Sequence, residues 1–119
     1  MMAEISFTER ELDVMAVLWE LESGTVTEVR DRMVDDLAYT TVLTILRTLE
    51  DKGYVRHMEE GKAHRYIPTV GRESAGKSAV ARLVDKMFGG SPELLLTQLV
   101  GDRKLKDAEL RRLRKIGGW

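Results

Sequence analysis

The chain has 119 residues, 43% of them hydrophobic and 33% charged, which is typical of one globular domain or a small domain with an appendage. It contains no cysteine, which excludes disulfides and thiolate metal sites, and no apolar stretch near the ~20 residues that span a bilayer. The N-terminus lacks the basic and apolar regions of a secretory signal. These features predict a cytoplasmic protein without membrane contact.

Charge is distributed unevenly along the chain, although the formal net charge is only −1. Residues 1–70 hold 8 Lys/Arg against 14 Asp/Glu, whereas residues 71–119 hold 11 against 6. Between residues 39 and 70, five basic side chains meet four acidic ones. The acidic surplus of the N-terminal half argues against tight nonspecific binding of nucleic acid, and only mildly against specific binding.

Two capping boxes mark the start of the first two predicted helices, because a Thr hydroxyl and a Glu three residues later can satisfy each other's backbone amides. Thr8 and Glu11 open a helix over Glu9–Leu21, and Thr25 and Glu28 open a second, shorter one. The predicted inner face of the first helix is Leu12, Met15, Ala16 and Trp19, widened by Val14 and Leu18, and that of the second is Val26, Val29 and Met33.

The third predicted helix has two different faces. Hydroxyls and a guanidinium on one exposed strip suit base edges and phosphates. Thr40 or Thr41 would cap the start of this helix, and Gly53 stops it in the place expected of a C-cap. The apolar face carries Val42, Ile45, Leu46 and Leu49, and the opposite face carries Thr40, Thr44, Arg47, Thr48 and, at its far end, Asp51.

A hairpin follows the third helix, and we call its charged tip, Glu59–Arg65, the wing. The predicted strands are Tyr54–Met58 and Ala63–Ile67, joined by the turn Glu59-Glu60-Gly61-Lys62 and closed by Pro68. The strand pattern leaves open which side chains face inward. Helix, glycine cap and hairpin in this order predict a mainly α protein with a small antiparallel β wing, a winged helix-turn-helix that reads DNA.

Three further helices are predicted after the hairpin. Residues 71–76 read as a junction, although Ser74 could equally lie inside a longer helix. Gly89-Gly90 ends the first of these helices, Ser91-Pro92 starts the second as N-cap and first helical residue, and the third covers about 107–116.

The chain therefore divides into a predicted winged-helix DNA-binding domain over 1–70 and a predicted three-helix dimerisation region over 71–119. The three helices carry many apolar residues but little chain with which to form a core, so a second copy is the economical way to bury them. Alternatively, they fold back on their own N-terminal domain. The predicted dimerisation residues are Val80, Leu83, Val84, Met87, Phe88, Leu95, Leu99, Leu110 and Leu113.

Three stretches carry a likeness to known proteins: LAYTTVLTILRTLEDKGYV, EEGKAHRYIP in the hairpin, and TERELDVMAVLWE near the start. They resemble the penicillinase-repressor family of bacterial winged-helix regulators, and the resemblance covers nearly all of residues 6–116. It implies a homodimeric repressor that binds inverted-repeat operators in double-stranded DNA. By position, it implies that Thr40, Thr41, Thr44 and Arg47 face the major groove and that Lys62, His64 and Arg65 lie by the phosphates.

The sequence departs from the pattern of this family in the features tied to release from DNA. The resemblance implies cleavage of an Asn–Phe bond in the antibiotic-responsive members, but this sequence contains no asparagine. It implies a C-terminal cysteine cluster in the copper-responsive relatives, but this sequence contains no cysteine. Repression is therefore better supported than either of these modes of induction.

The candidate DNA contacts also have purely structural interpretations. Tyr39 could stack on a sugar-phosphate edge or pack beside the helix entry, and the threonines could be ordinary solvated helix residues. Arg47 could pair with Glu50 or Asp51 at helical spacing, and Lys62 could simply be solvated. We prefer DNA contact, because capping explains one threonine near the helix start and leaves the others without a reason.

Catalytic, metal and cofactor sites are not predicted. His57 and His64 lack a third ligand at recognised spacing, and no nucleophile–base set or phosphate-binding loop is evident. Two other functions stay open besides DNA binding. One is a winged-helix protein-interaction module whose acidic N-terminal half docks a basic partner, and the other is a regulator that senses a small ligand between its C-terminal helices.

Overall fold

The structure, a computed structural model, describes residues 5–101 and 106–117. Within these residues a three-stranded antiparallel sheet has the strand order β1-β3-β2, and no helix is long and apolar enough to cross a membrane. The mainly α fold class with a small antiparallel wing is confirmed. The elements are α1 (Glu9–Leu21), β1 (Gly24–Thr25), α2 (Val26–Arg32), α3 (Tyr39–Asp51), β2 (Val55–Glu60), β3 (Ala63–Pro68), α4 (Arg72–Met87), α5 (Pro92–Gly101) and α6 (Asp107–Gly117).

The predicted capping residues start α1 and α2. At α1, the Thr8 hydroxyl accepts from the Glu11 amide at 3.1 Å, and the Thr8 amide donates to Glu11 Oε1 at 2.8 Å, which completes the box. At α2, the Thr25 hydroxyl accepts from the Glu28 amide at 3.2 Å. Each bond satisfies an amide that the first helical turn leaves without a partner.

The start of α3 differs from the prediction that Thr40 or Thr41 caps it. The N-cap is Ala38, which makes no side-chain cap bond, and both threonines lie in the first turn. The Ala38 carbonyl accepts from the Thr41 amide at 3.1 Å. Packing decides this boundary, because the preceding Leu37 lies against the hydrophobic core and fixes where the chain turns into the helix.

The end of α3 confirms the role predicted for Gly53. Gly53 has φ +84°, a left-handed conformation that L side chains disfavour. Its amide donates to the Glu50 carbonyl and the Tyr54 amide donates to the Leu49 carbonyl, both at 2.9 Å. This pair of bonds is a Schellman motif, which satisfies the last carbonyls of the helix and turns the chain into β2.

A core of ten buried residues joins α1, α2, α3 and the sheet. The apolar face predicted for α3 is confirmed. The inner face predicted for α1 is shifted, because Leu12 is 46% exposed and Ala16 is also exposed, whereas Val14, Met15 and Leu18 are fully buried. The members of the core are Val14, Met15, Leu18, Val26, Val29, Val42, Leu46, Leu49, Val55 and Tyr66.

The hairpin is tighter than predicted. Its register runs from Val55 opposite Pro68 to Glu60 opposite Ala63, so Glu59 and Glu60 belong to β2 and the loop contains only Gly61 and Lys62. A two-residue loop needs a positive φ that matches the twist of the strands, and Gly61 supplies it with φ +61°. The predicted four-residue turn is therefore wrong.

Strand β1 was not predicted. Its two residues pair with β3, Gly24 opposite Tyr66 and Thr25 opposite Arg65. A Cβ at Gly24 would lie 3.1 Å from Cγ2 of Val29, so this glycine permits a close approach of the chain to α2. Pairing with β1 leaves β3 as the central strand of the sheet.

Of the two interpretations of residues 71–76, the longer helix that includes Ser74 is confirmed and the junction is not, because α4 already begins at Arg72 and continues past Ser74 and Gly76. The chain splits into two compact units between Ala79 and Val80, inside α4, whereas the sequence predicted a division after residue 70. Gly89 and Gly90 do end α4, with φ +56° and +80°.

The predicted starts of α5 and α6 agree with the structure. The Ser91 hydroxyl accepts from the Leu94 amide at 3.4 Å, and Pro92 is the first residue of α5. Helix α6 starts at Asp107 and extends to Gly117, one residue beyond the predicted end.

Candidate nucleic-acid interface

The outer face of α3 is bare in the structure. We call its exposed residues the reading strip. The opposite side of the helix is fully buried at Val42, Leu46 and Leu49, so the core fixes which side of α3 faces outward. The reading strip consists of Tyr39, Thr40, Thr41, Thr44, Arg47 and Thr48; Asp51, also exposed, lies beyond it in the last turn of α3 and is not counted in the strip.

Two threonines of the reading strip bond to their own helix. Thr44 Oγ1 donates to the Thr40 carbonyl and Thr48 Oγ1 donates to the Thr44 carbonyl, both at 2.9 Å. These bonds use the one proton of each hydroxyl and leave its oxygen lone pairs and the γ-methyl for a ligand. The strip therefore offers acceptors and methyl groups at these positions, and its strong donor is the guanidinium of Arg47.

The base of the hairpin is joined to the end of α3. His57 Nδ1 lies 2.5 Å from Glu50 Oε2, and its ring stacks on that of His64 with centroids 4.3 Å apart. Among the ion pairs of the described residues, none joins Arg47 to Glu50 or Asp51. The ion pair considered above as an alternative role for Arg47 is therefore not formed.

Tyr66 lies under this cluster and is 1% exposed. Burial raises the pKa of its hydroxyl, the charge of Glu50 adds to the rise, and Arg47 opposes it. Arg47 therefore lies close to the Tyr66 hydroxyl, while its side chain is exposed at the surface.

A long-range contact not visible in the sequence pattern fixes the same, C-terminal end of α3. Glu11 is 4% exposed, and its Oε1 accepts from Lys52 Nζ at 2.8 Å as well as from the Thr8 amide. Burial alone would raise the pKa of this carboxyl, but the bonds from Lys52 and Thr8 outweigh it and hold the pKa below its ordinary value. The capping box reveals the local role of Glu11, whereas its partner lies 41 residues away.

The three basic wing residues occupy different surroundings. Lys62 is exposed in the two-residue loop, and His64 is exposed and stacked on His57. Arg65 instead points to carboxylates of its own chain, Glu28 and Glu60. In the described part of the chain, no cluster of three His, Asp or Glu residues is suited to hold a metal ion.

The predicted dimerisation residues divide into buried and exposed members. Val84 is 7% exposed, while Phe88, Leu95 and Leu110 are half-buried. The remaining members expose more than a third of their surface: Val80, Leu83, Met87, Leu99 and Leu113. No residue of α5 is buried, and neither is any residue of α6 from Asp107 to Lys115.

Comparison with known proteins agrees with this arrangement. A family model described as "Penicillinase repressor" matches residues 7–117. The "Transcriptional regulator BlaI" of Mycobacterium tuberculosis is 43% identical over 63 residues, which cover 50% of this chain and 46% of that protein. The chain thus spans about half the length of this relative.

Two solved structures of BlaI share the fold of the N-terminal part. The DNA-binding domain of the repressor BlaI has 28% identity and a TM-score of 0.54, with 62% of this chain and 93% of that chain covered. The monomeric form of Bacillus licheniformis BlaI, in complex with the blaP half-operator, has 28% identity and a TM-score of 0.52 over the same shares.

The family match extends over both compact units of the chain, and the two BlaI structures share a fold with 62% of it. The name of the family describes a regulator of gene expression and not an enzyme. With the sheet order, the exposed strip of α3 and the match over residues 7–117 taken together, the chain belongs to the penicillinase repressor family.

Proposed function

We propose that the protein is a DNA-binding transcriptional repressor that inserts α3 into the major groove of an operator. The bare reading strip carries this proposal, because a helix held by its opposite face on a core can enter a groove without unfolding. The solved complex of B. licheniformis BlaI with a half-operator supports the same use of this fold.

The chemistry of the reading strip suits mixed contacts with bases and backbone. Arg47 can donate two parallel bonds to guanine O6 and N7, the commonest specific contact in the major groove. The methyls and oxygens of Thr40, Thr41 and Thr44 can meet thymine methyls and cytosine amino groups. Tyr39 lies at the entry of α3, 45% exposed, where a sugar-phosphate edge would pass.

The wing supplies backbone contacts in this proposal. Lys62 and His64 are exposed near the tip of the hairpin, where phosphates can be reached without displacing another group. The carboxylates of α1 do not oppose this approach, since α1 packs on the buried side of α3 and two of its outer charges are paired, Asp13 with Arg10 and Glu20 with Arg32. Affinity should fall as salt rises, because binding releases counterions from the DNA.

We further propose that the repressor is a homodimer and reads an inverted repeat. No residue of α5, and none of α6 from Asp107 to Lys115, is buried within one chain, and a second copy is the simplest means of covering their apolar side chains. Two copies related by a twofold axis present two reading strips, which requires half-sites about one helical turn apart or a multiple of it.

A binding titration tests this function. Fluorescence anisotropy at low salt should show saturable binding to the promoter DNA of its own operon and much weaker binding to a coding fragment of the same length. Equal binding to both fragments, or none to either, would contradict the proposal. Binding to neither fragment would favour a winged-helix protein-interaction module.

One observation favours a second candidate, a ligand-sensing regulator. A cleft of about 710 Å³ lies between α5 and α6, in the size range of small-molecule sites. A metabolite panel followed by thermal unfolding would detect such a ligand as a rise in melting temperature, and a flat panel would count against it. The cleft is lined by Leu96, Val100, Asp107, Leu110, Arg111 and Arg114.

A further inference from the structure

Every N–H of the Arg65 guanidinium already has an acceptor in the protein. Nε donates to both carboxylate oxygens of Glu60 at 3.2 Å. Nη1 donates to Ser23 Oγ at 3.2 Å and to Glu28 Oε1 at 3.1 Å, and Nη2 donates to Glu28 Oε2 and Glu60 Oε2 at 2.9 Å each. Arginine has five N–H donors, one on Nε and two on each terminal nitrogen, so all of its donors are used.

The partners of Arg65 come from separate parts of the N-terminal unit. Glu28 lies in the first turn of α2, Glu60 ends β2, and Ser23 precedes β1. Arg65 itself lies in the central strand β3, opposite Thr25. The guanidinium therefore ties the wing to α2, the helix that precedes α3. Because the guanidinium is planar and bonds to two carboxylates, it fixes the orientation of the wing relative to α2 as well as the distance between them.

The charge around Arg65 disfavours a phosphate. Two carboxylates surround one guanidinium, so the cluster of Arg65, Glu28 and Glu60 carries a net charge of −1. A phosphate oxygen would have to displace one carboxylate and then lie beside it, a like-charge contact. Lys62, exposed in the loop of the hairpin, meets no such obstacle.

We propose that Arg65 is a positioning residue that locks the wing against α2, and that it does not contact the DNA backbone. This inference rests on the proposed function, and it revises the role that the family resemblance implied for Arg65. The lock holds the wing tip at a fixed distance from the reading strip before DNA arrives. Binding then loses less conformational entropy than it would with a mobile wing.

Two substitutions with opposite effects on charge separate this role from a phosphate contact. Arg65→Gln removes a positive charge and Glu28→Gln removes a negative one, so simple attraction to DNA predicts weaker binding for the first and tighter binding for the second. The lock predicts that both weaken operator binding by about tenfold, the effect of losing one charge-assisted hydrogen-bonded partner. Glu59→Gln is the matched control, because it makes the same charge change as Glu28→Gln at the residue next to Glu60, on the other face of β2 and outside the cluster; the lock predicts that it does not weaken operator binding.

The salt dependence of binding gives an independent readout. The slope of log K against log salt should stay at the wild-type value in Arg65→Gln and decrease by about 1 in Lys62→Gln, which removes a phosphate contact. Tighter binding by Glu28→Gln, or a slope lowered by about 1 in Arg65→Gln, would overturn the lock.

Amide hydrogen exchange of the free protein tests the lock without DNA. Exchange in Val55–Pro68 should be faster in Arg65→Gln and in Glu28→Gln than in the wild type, and unchanged in Glu59→Gln. Unchanged exchange in the first two variants would overturn the lock even if the protein binds its operator. If wild-type protein fails to bind any operator while the exchange pattern is as expected, the proposed function fails and the lock stands.

Discussion

Helices α3 and α5 each contain five Leu, Ile or Val residues but lie in different surroundings. Five of the ten residues of α5 are Leu or Val, yet none of them is buried. In α3, five of thirteen residues are Leu, Ile or Val, and three of these are fully buried. The helix that is richer in apolar residues is thus the less buried one, because apolar content states what a helix can bury and not whether a partner lies within the same chain.

This difference matches the roles proposed for the two compact units. The N-terminal unit completes a core and uses it to hold one polar face outward, as a rigid reading surface requires. The C-terminal helices leave apolar side chains exposed, as the interface of an isolated subunit of an obligate dimer would. The predictions below test this contrast, from the largest expected effect to the smallest.

The largest effect is expected from Leu46→Ala in α3. Leu46 is fully buried, so its truncation removes contacts and leaves a cavity, and we expect a loss of about 2–5 kcal/mol in the free energy of unfolding. Urea denaturation measures the loss. Leu12→Ala is the control, because Leu12 is 46% exposed and should lose less than about 1 kcal/mol. Equal losses would contradict the assignment of the core.

The next effect concerns assembly. Leu99→Glu places a charge on an exposed apolar position of α5, and burying it in a dimer would cost several kcal/mol, of the order of the penalty for an unpaired buried ion. Analytical sedimentation at micromolar concentration should show a dimer for the wild type and a monomer for this variant. Gln98→Glu adds the same charge at the neighbouring exposed position and should remain dimeric. A monomeric wild-type protein would refute the proposed assembly.

Operator affinity should depend on Arg47. Arg47→Ala should weaken operator binding by about 1–3 kcal/mol if the guanidinium makes a bidentate contact with guanine. Its unfolding free energy is measured in parallel, because Arg47 interacts with the buried Tyr66 hydroxyl and the binding comparison requires folded protein. Anisotropy titrations with wild-type and base-substituted operators measure the first effect, and unchanged binding would remove Arg47 from the reading strip.

The smallest effect concerns the buried carboxylate of Glu11. Since its folded-state pKa lies below the ordinary value, its contribution to stability is present above that ordinary value and is lost as the pH falls through the folded-state pKa. Glu11→Gln should therefore lower the unfolding free energy at neutral pH by roughly 1 kcal/mol and make the acid side of the stability curve less steep. If the unfolding free energy falls with decreasing pH equally steeply in the variant and in the wild type, this role is contradicted.

Local signals in the sequence were sufficient for most element boundaries. The cap at Thr8, the glycine stop at Gly53 and the Ser91-Pro92 start all depend on bonds or torsion angles within a few residues, and the structure confirms each of them. The cap of α3 was mispredicted, and of the two interpretations of residues 71–76 the junction was the wrong one. In both cases a favourable local signal was present, but the helix starts at another residue. Helix α3 has Ala38 as its N-cap, and helix α4 begins at Arg72.

The candidate site also has features that local sequence signals predict and features that they do not. Helical periodicity predicts which residues share the reading strip, because the period of the helix is a local property. It does not show that Glu28 and Glu60 surround Arg65, since those residues meet only when β1 pairs with β3 and the hairpin closes. Nor does it show the contact of Glu11 with Lys52 at the end of α3.

The sequence by itself determined the order of the helices and the hairpin, the caps, and the polar and apolar faces of α3, because each depends on interactions between near neighbours. Only the tertiary structure decided which of two apolar helices is buried, and which wing cation is exposed and which is paired. Burial and ion pairing depend on distance in space, and residues as far apart as Ser23 and Arg65 become neighbours only after the chain has folded.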